Sequence, residues 1–222
     1  RAGEIHGIAG VDGNGQGELA AIIAGLLAPS GGTLHLGGAD ITRMHPSRRI
    51  RSGLAWIPGD RQQTALAMSL SISDNLLLKA HDRRPYCIRG FLDTARIREL
   101  VHRSIRDYRV ACAGPDQPVR ALSGGNQQKV VLARELQAEP SLVVAVQPTH
   151  GLDVGATAYV QALLREQQQR GCAILLVSTE LDEILLLSNR VSVLYEGTLA
   201  GPFERSAVDR QSIGLLMAGK RP

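Results

Sequence analysis

Apolar residues follow two different periods along this chain, and together they predict alternating strands and helices. Three short, largely apolar runs, Ile5–Ala9, Leu142–Val146 and residues 173–177, are typical of strands buried on both faces of a parallel sheet. Between residues 16 and 28 the apolar positions instead recur every three or four residues, which predicts an amphipathic helix. The members of that helical stripe are Leu19, Ile22, Ile23, Leu26 and Leu27.

The middle of the chain, about residues 64–122, has a helical pattern with no strong strand. Apolar residues at 72–78 and again between 97 and 108 have helical spacing. After it we predict a helix to about Leu136, a helix from about Asp153 to Arg170, and a short helix over Leu181–Leu187. Residues 191–195 and 198–200 are predicted to pair as strands. Strand–helix alternation around a helical insertion indicates an α/β sheet protein.

Composition narrows the function classes. Aromatic residues make up only 3% of the 222 residues, so stacking on nucleic-acid bases is not a major mode of binding. The net charge of +4 comes from scattered basic residues, which argues against nucleic acid as a partner. Three widely separated cysteines without a C-x-x-C pair indicate reduced thiols and no metal site. No apolar run reaches the length of a membrane span. Because Arg1 leads almost directly into the first strand, we expect a fragment of a longer protein.

A glycine-rich stretch joins the first strand to the first helix, as in a phosphate-binding loop. Loop amides and the helix N-terminus point at the anion in such a loop, whose pattern is G-x-x-x-x-G-K-[ST]. Here Gln16 replaces the lysine and Gly17 replaces the hydroxyl residue. A glycine turn without a ligand is one alternative; a dinucleotide-binding turn is another, although its third glycine would fall at Glu18. The candidate phosphate-loop residues are Gly10, Gly13, Asn14, Gly15, Gln16 and Gly17.

Residues 122–129, Leu-Ser-Gly-Gly-Asn-Gln-Gln-Lys, open a predicted helix and are the most informative stretch of the chain. The hydroxyl of Ser123 and the backbone amides at Gly124 and Gly125 form an anion-binding set at the positive end of a helix. The plain alternative is a serine that only caps the helix.

These motifs occur in the order and spacing of ABC-type ATPases, which the chain resembles over nearly its whole length. Details resemble the C-terminal half of the tandem ATPases of bacterial simple-sugar and nucleoside importers. They are Pro-Gly-Asp-Arg at 58–61, the Asn and paired Gln at 126–128, Gln-Pro-Thr at 147–149, Ser-Thr-Glu-Leu at 178–181, and Gly-Leu-Leu-Met-Ala-Gly at 214–219.

The resemblance implies a P-loop NTPase fold. We expect a core with a parallel-rich sheet, a small antiparallel β portion and a helical subdomain. All 222 residues form one ATP-binding domain in this prediction, with the core at 1–63 and 123–222 and the helical subdomain at 64–122.

The resemblance also assigns roles. The signature motif, which serves the ATP site of a partner domain, maps to Leu122, Ser123, Gly124, Gly125, Asn126 and Gln127. The Q-loop region maps to Pro58, Gly59, Asp60 and Arg61, with glycine at the glutamine position. Asp153 matches the D-loop aspartate; it could also be a simple helix cap. The Walker B aspartate, the catalytic glutamate and the switch histidine fall at Val146, Gln147 and Thr179.

The implied function is therefore asymmetric. We expect an importer ATPase domain that supplies its signature in trans while its own site is hydrolytically impaired, with no catalytic residue in cis. The cofactors, ATP and Mg²⁺, belong to the partner's site. Implied partners are an N-terminal nucleotide-binding half, permease subunits and, indirectly, an external substrate-binding protein. The implied location is the cytoplasmic face of the plasma membrane.

Two other functions compete with this one. A scaffold that docks the permease and the partner domain without binding nucleotide would explain the missing groups. A soluble ABC ATPase of translation or DNA repair is disfavoured, because the chain has neither a long charged linker nor a coiled-coil insertion.

Overall fold

The computed structural model describes residues 1–220, so the last two residues of the predicted domain lie outside the described range. The strands are β1 (Ile5–Ala9), β2 (His35–Leu36), β3 (Ala39–Asp40), β4 (Leu54–Ile57), β5 (Cys87–Ile88), β6 (Phe91–Leu92), β7 (Leu142–Val146), β8 (Ala173–Ser178), β9 (Arg190–Tyr195) and β10 (Thr198–Glu204). The helices are α1 (Gln16–Ala24), α2 (Pro46–Arg51), α3 (Ile72–Leu77), α4 (Thr94–Asp107), α5 (Gly124–Leu136), α6 (Val154–Gln169), α7 (Leu181–Leu187) and α8 (Arg210–Met217).

The chain divides into two compact units. The first unit comprises residues 1–59, 139–150 and 161–222, and the second comprises residues 60–138 and 151–160. The domain boundaries given above stay a prediction.

A six-stranded sheet in the order β10-β9-β1-β8-β7-β4 forms the first unit. Its neighbouring strands are parallel except for β10, which pairs antiparallel with β9. The predicted runs at Ile5–Ala9 and Leu142–Val146 are confirmed as strands, and both lie inside the sheet. They are apolar because neighbours flank them on both edges and their faces are covered.

The strand register brings three chain segments to one edge of the sheet. Ala9 pairs with Ser178, and Val146 pairs with Val177. The carboxyl ends of β1, β7 and β8 therefore lie together. Beside them an apolar cluster is formed by Ile8, Val177 and Leu194, with Leu19, Val146 and Leu175 packed against it.

In the second unit, α3, α4 and α5 pack against one another. The predicted helix after the Leu-Ser-Gly-Gly stretch is confirmed, ending at Leu136. A single turn of π-helix, Arg61–Ala65, precedes α3 and is held by the Asp60 carboxylate, which accepts from the amides of Gln62 and Gln63 at 2.9 Å each.

The sequence did not predict one feature of this region, a two-stranded hairpin formed by β5 and β6. Each strand has only two residues, which is too short for an alternating pattern to be recognised. Its turn, Arg89-Gly90, also lacks the Asn-Gly or Asp-Gly pair that marks such turns. No helix among residues 1–220 is both long and apolar enough to cross a bilayer.

A buried arginine holds α1, α2 and the segment between them together in the first unit. Arg49 is only 2% exposed. Its guanidinium donates to the carbonyls of Ile22 and Ile23 at the end of α1, and to those of Thr42 and Met44. Placing a cation against the carbonyl end of α1 is favourable for the helix dipole as well.

We therefore expect Arg49→Ala to lower the free energy of unfolding by about 3 kcal/mol or more, because four carbonyl groups lose a buried donor. Chemical denaturation measures the change. The matched control is Arg48→Ala, which removes an exposed arginine from the same helix. Equal losses in the free energy of unfolding for the two variants would contradict the conclusion that buried Arg49 holds these segments together.

Candidate functional site

The glycine loop follows β1 and enters α1, as the sequence predicts, and its interior is occupied by its own glutamine. Gln16 is 8% exposed. Its Nε2 donates to the Val11 carbonyl at 2.8 Å, and its Oε1 accepts from the Asn14 amide at 3.1 Å. A Cβ at Gly10 would collide with this side chain. The Gln16 carboxamide oxygen thus accepts from a loop amide that would otherwise be available to donate to a phosphate oxygen.

Asn14 ties the loop to the turn that joins β9 and β10. Its side-chain amide donates to the Val11 carbonyl at 2.8 Å, and its Oδ1 accepts from the Glu196 amide at 2.7 Å. The Gly197 amide donates to the Asn14 carbonyl at 3.1 Å. The left-handed backbone at Gly13 and Gly15, with φ of 87° and 105°, needs glycine and allows this compact path.

Gln147, at the end of β7, contacts the same loop. Its Nε2 donates to Oδ1 of Asp12 at 2.9 Å, and its own amide donates to the Val177 carbonyl at 2.7 Å. Its φ of 43° is unusual for a residue other than glycine. The structure therefore brings the lysine and glutamate positions of the predicted site to one loop, each holding a neutral amide that bonds to that loop.

The positions expected to hold Mg²⁺ do not fit that ion. A Cβ at Gly59 would lie 3.5 Å from Cγ1 of Val146 and 3.7 Å from Cβ of Gln147, so the Q-loop and Walker B positions are neighbours. Mg²⁺ requires oxygen ligands, whereas glycine stands at 17 and 59 and Val146 packs into the apolar cluster. Within the described residues, no group of three His, Cys, Asp or Glu side chains is arranged to hold a metal.

The switch position, Thr179, follows β8 and precedes a buried carboxyl group in α7. Glu183 is 5% exposed, and its Oε1 accepts from the Thr149 hydroxyl at 2.8 Å. Burial raises the pKa of the Glu183 carboxyl above its usual range, against the lowering effect of hydrogen bonds from Ser178 and Thr149. This carboxyl links the segment after β7 to the segment after β8.

The signature residues lie at the start of α5 in the second unit. Ser123 has the extended backbone of a helix N-cap, but its hydroxyl makes no capping bond within the part of the chain that the structure describes. Its Oγ instead accepts from Nδ2 of Asn126 at 3.0 Å, and Oδ1 of Asn126 accepts from the Ala111 amide at 2.9 Å. The alternative of a serine that only caps the helix is therefore not supported. Ser123 is exposed.

Hydrogen bonds of the Gln127 side chain hold the first turn of α5 in place. Its Nε2 donates to the carbonyls of Val119 and Leu122 at 3.3 and 3.2 Å, and its Oε1 accepts from Nε2 of Gln62 at 3.3 Å. The π-helical turn that begins at Arg61 is thus joined to the signature helix. Leu122 is buried just before it.

Arg61 lies against the signature glycine. A Cβ at Gly124 would be 2.8 Å from Nη2 of Arg61 and 3.5 Å from its Cζ. The same Nη2 donates to the Gly151 carbonyl at 3.4 Å. The structure thus places the Arg61 guanidinium between the signature and the segment before Asp153.

Asp153 caps α6, since its Oδ1 accepts from the Ala156 amide at 2.9 Å. The cap alternative is therefore confirmed as a local contact, and its role along a dimer seam stays a prediction. A Cβ at Gly125 would lie 3.2 Å from Cβ of Ala156 and 3.8 Å from Oδ2 of Asp153. The two signature glycines thus have different neighbours, Arg61 for one and the start of α6 for the other.

The contacts of Gln16, Asn126 and Arg61 were not recognisable from the sequence. Each depends on where a long polar side chain turns, which spacing along the chain does not specify. Only the Arg61 contact has a usable signal in the sequence. Arg61 directly follows Asp60, and an aspartate cap fixes the direction of the turn that follows it.

We expect the pH dependence of stability to show that the Glu183 carboxyl binds its proton more tightly in the folded protein than in the unfolded chain. A raised pKa means that the stabilisation is present at low pH and is lost as the pH rises through the folded-state value. Wild-type stability relative to Glu183→Gln should fall as the pH rises above the ordinary glutamate range and through the raised folded-state pKa, by at most about 1.4 kcal/mol per pH unit. Denaturation curves at several pH values measure it, with the exposed Glu166→Gln as control. A difference that stays flat or grows with pH would contradict this.

A second prediction concerns Gly124. Alanine is favoured over glycine in a helix by about 1 kcal/mol. Gly214 in α8 has open space around its Cα, so Gly214→Ala should stabilise the protein. Gly124→Ala should lose that gain, because its new methyl group displaces Arg61 from the Gly151 carbonyl.

The pair is tested by a double-mutant cycle in thermal or chemical unfolding. In the Arg61→Ala background, Gly124→Ala should recover its gain, giving a coupling of about 1 kcal/mol between the two positions. If the effects of the two substitutions simply add, Arg61 does not determine the need for glycine at 124.

Comparison with solved structures places the fold. The chain superposes on a nucleotide-free ATP-binding cassette with a TM-score of 0.77 and 20% identity, covering 92% of this chain and 81% of that one. It superposes on a dimeric cassette in a post-hydrolysis state bound to ADP and phosphate with a TM-score of 0.76 and 22% identity, covering 92% and 87%. At these identities the likeness establishes the fold alone, which is that of the ABC ATPases, as predicted.

Curated relatives are more similar in sequence. The chain is 42% identical over 219 residues to the guanosine import ATP-binding protein NupO of Bacillus subtilis, covering 99% of this chain and 43% of that protein. It is 38% identical to the nucleoside import ATP-binding protein NupA of Lactococcus lactis, with the same coverage. It is 34% identical to the ribose import ATP-binding protein RbsA of Geobacillus kaustophilus, covering 96% and 43%. The chain therefore spans less than half the length of these relatives.

The family model described as ABC transporter matches residues 1–150, about two thirds of the chain. That stretch contains the residues predicted to form the phosphate loop, the Q-loop region and the signature motif, whose geometry is described above. The chain belongs to the ABC transporter family.

Proposed function

We propose that this chain is the C-terminal ATP-binding half of a tandem ATPase that drives import of a simple sugar or nucleoside. In this role it presents its signature motif to ATP held by the N-terminal half. The observation that carries the proposal is a contrast between two places in the chain. The Ser123 hydroxyl is exposed and does not cap its own helix, whereas Gln16 and Gln147 are bonded to the chain's own phosphate loop.

Two findings on relatives support the tandem arrangement and the cargo class. The chain matches only 43% of the length of the relatives from B. subtilis and L. lactis, which leaves room in each for a second domain of similar size. Their names, and that of the ribose relative, describe import of nucleosides and a sugar. The exact solute is chosen by parts that this chain does not contain.

The residues of the signature act by position and charge. Ser123 offers a hydroxyl, Gly124 and Gly125 offer backbone amides without side chains in the way, and α5 directs its positive end to the same place. ATP bound by the partner half supplies the phosphoryl group that is transferred to water. Such transfer depends mainly on positioning and on stabilising negative charge, which is what this set provides.

The chain's own site is proposed to be hydrolytically impaired. It has no lysine at 16, no carboxylate at 146 and no general base at 147, since glutamine does not take up a proton near neutral pH. Single electrostatic groups of this kind are worth about 10²–10³-fold in rate. Their losses do not simply multiply, yet the loss of all three leaves little basis for turnover in cis.

The remaining partners follow from the same proposal. ATP and Mg²⁺ are bound at the partner half's site. Permease subunits in the membrane receive the movement, an external substrate-binding protein delivers the solute, and the chain lies at the cytoplasmic face of the plasma membrane.

The scaffold function is the second candidate, and one observation favours it. The loop that would cradle a phosphate is already satisfied by the Gln16 carboxamide. This argues against nucleotide in the chain's own loop, but it does not account for the exposed hydroxyl of Ser123.

The test compares the isolated chain with the full-length ATPase assembled with its permease. We expect the isolated chain to show almost no Mg²⁺-dependent ATP hydrolysis. In the assembly, Ser123→Arg should lower turnover by about 100-fold or more, because a bulky cation replaces a hydroxyl at the phosphate position. Ser30→Arg, at an exposed loop residue of the first unit, is the control for size and charge.

The two candidates give different outcomes. Under the scaffold function, Ser123→Arg leaves hydrolysis at the control level while assembly remains intact. Robust turnover by the isolated chain would contradict both candidates, because each denies this chain a working site of its own.

A further inference from the structure

The hairpin formed by β5 and β6 exposes apolar side chains that no packing within its unit explains. Phe91 is 80% exposed, Leu92 50% and Ile88 45%. Ile88 and Phe91 are paired directly across the hairpin, next to its turn, and Leu92 pairs with Cys87. Paired residues lie on the same face of a hairpin, so Phe91 and Leu92, which are neighbours in sequence, present apolar groups on opposite faces of the tip.

An arginine occupies the turn despite an unfavourable backbone. Arg89 and Gly90 have φ of 52° and 85°, the arrangement of a two-residue turn with both central residues left-handed. Asn, Asp or Gly is preferred at the first of these positions, and a long side chain there is disfavoured. The turn therefore holds an exposed guanidinium at a position where local conformation alone favours another residue.

Basic residues occur throughout the chain, but their excess over acidic residues is concentrated in the segment that surrounds the hairpin. Nine of the 25 lysine and arginine residues, but only four of the 21 aspartate and glutamate residues, lie between positions 79 and 109. That segment has a net charge of +5, while the complete chain has +4. Arg89, in the turn, and Arg84, three residues before the hairpin begins, are exposed members of this set.

We propose that the hairpin tip, residues 87–92, together with these arginines, contacts the surface of an anionic phospholipid bilayer directly. An exposed aromatic ring two residues from an exposed arginine matches the interface between acyl chains and negatively charged headgroups, where the ring lies at headgroup depth and the arginine pairs with phosphate. The charge complementarity selects lipid over an apolar protein groove, because a groove of that kind would have to desolvate Arg89.

The contact is weak by itself and suited to a domain held at the membrane by another attachment. Three partly exposed apolar side chains cannot anchor a protein, just as one lipid chain does not anchor stably. Each arginine near an anionic surface contributes about fivefold in affinity. A permease that already holds the domain beside the bilayer would raise the local lipid concentration and make such a contact effective.

The test is flotation of the purified 222-residue chain with vesicles of phosphatidylcholine alone, and with vesicles that also contain phosphatidylglycerol. We expect binding only to the anionic vesicles, and a loss of that binding at high salt, since exposed charges are screened. Arg89→Asn should weaken binding to the anionic vesicles by about fivefold, and Phe91→Ser should reduce that binding below detection.

Arg89→Asn separates binding from folding. It creates the Asn-Gly turn that such hairpins prefer, so it should leave the stability unchanged or raised. The matched controls lie in the first unit: Arg43→Asn at another exposed arginine, and Leu199→Ser at a residue of β10 that is 48% exposed. Both controls should float like the unmodified chain.

A reporter at the tip gives a second measurement. Tryptophan emission of Phe91→Trp should shift to shorter wavelength with anionic vesicles, after subtraction of the signal from Trp56, and that of Leu199→Trp should not. Equal binding to neutral vesicles, equal losses in the controls, or no shift at position 91 would overturn the proposal. So would a Phe91→Ser variant that floats normally yet fails to assemble with the permease, because the tip would then contact protein.

Discussion

The parallel register of β1, β7 and β8 is the constraint on which the first unit depends. Each strand continues into a segment of chemical interest, and the pairing of Ala9 with Ser178 and of Val146 with Val177 fixes where those segments emerge. A one-residue slip in such a sheet reverses every side chain of a strand. The apolar cluster around Ile8 and Val177 would then lose its members, so the packing beneath the loop specifies the loop's position.

At that edge of the sheet, the absence of a lysine at 16 is consistent with the absence of carboxylates at 146 and 147. A lone Asp at 146 would face the apolar cluster, and a lone Glu at 147 would face Asp12 without a lysine or a metal to balance them. Isolated buried or paired like charges are costly, so the cation and the carboxylates are best lost together. The chain has neutral amides at 16 and 147, and both are used: one closes the loop on itself, and the other reaches the Asp12 carboxylate.

The sequence predicted the long elements and the order of the motifs, and it failed where structure is short or depends on side-chain direction. β1, β7 and α5 are long enough for their apolar pattern to be clear. The hairpin at residues 87–92 has two-residue strands, and α2 is short and largely polar, so neither has a readable period. The glycine pattern at 10–17 located the loop between β1 and α1, but no pattern could show that Gln16 folds back into it. Tertiary contacts, such as that of Arg61 with Gly124, are absent from one-dimensional spacing altogether.

The contacts around the signature also change what its preservation means. A Cβ at Gly124 would lie 2.8 Å from Nη2 of Arg61, and one at Gly125 would lie 3.2 Å from Cβ of Ala156, whether or not a phosphate is ever present. The two glycines are therefore weak grounds for a role toward ATP, since close packing within the second unit also favours small residues there. Ser123 is different, because its hydroxyl is exposed, bonds to the Asn126 side chain, and leaves the amides of α5 uncapped. A serine kept only for stability would cap the helix. The hydroxyl, more than the glycines, is thus the part of the motif that packing within the second unit leaves unexplained.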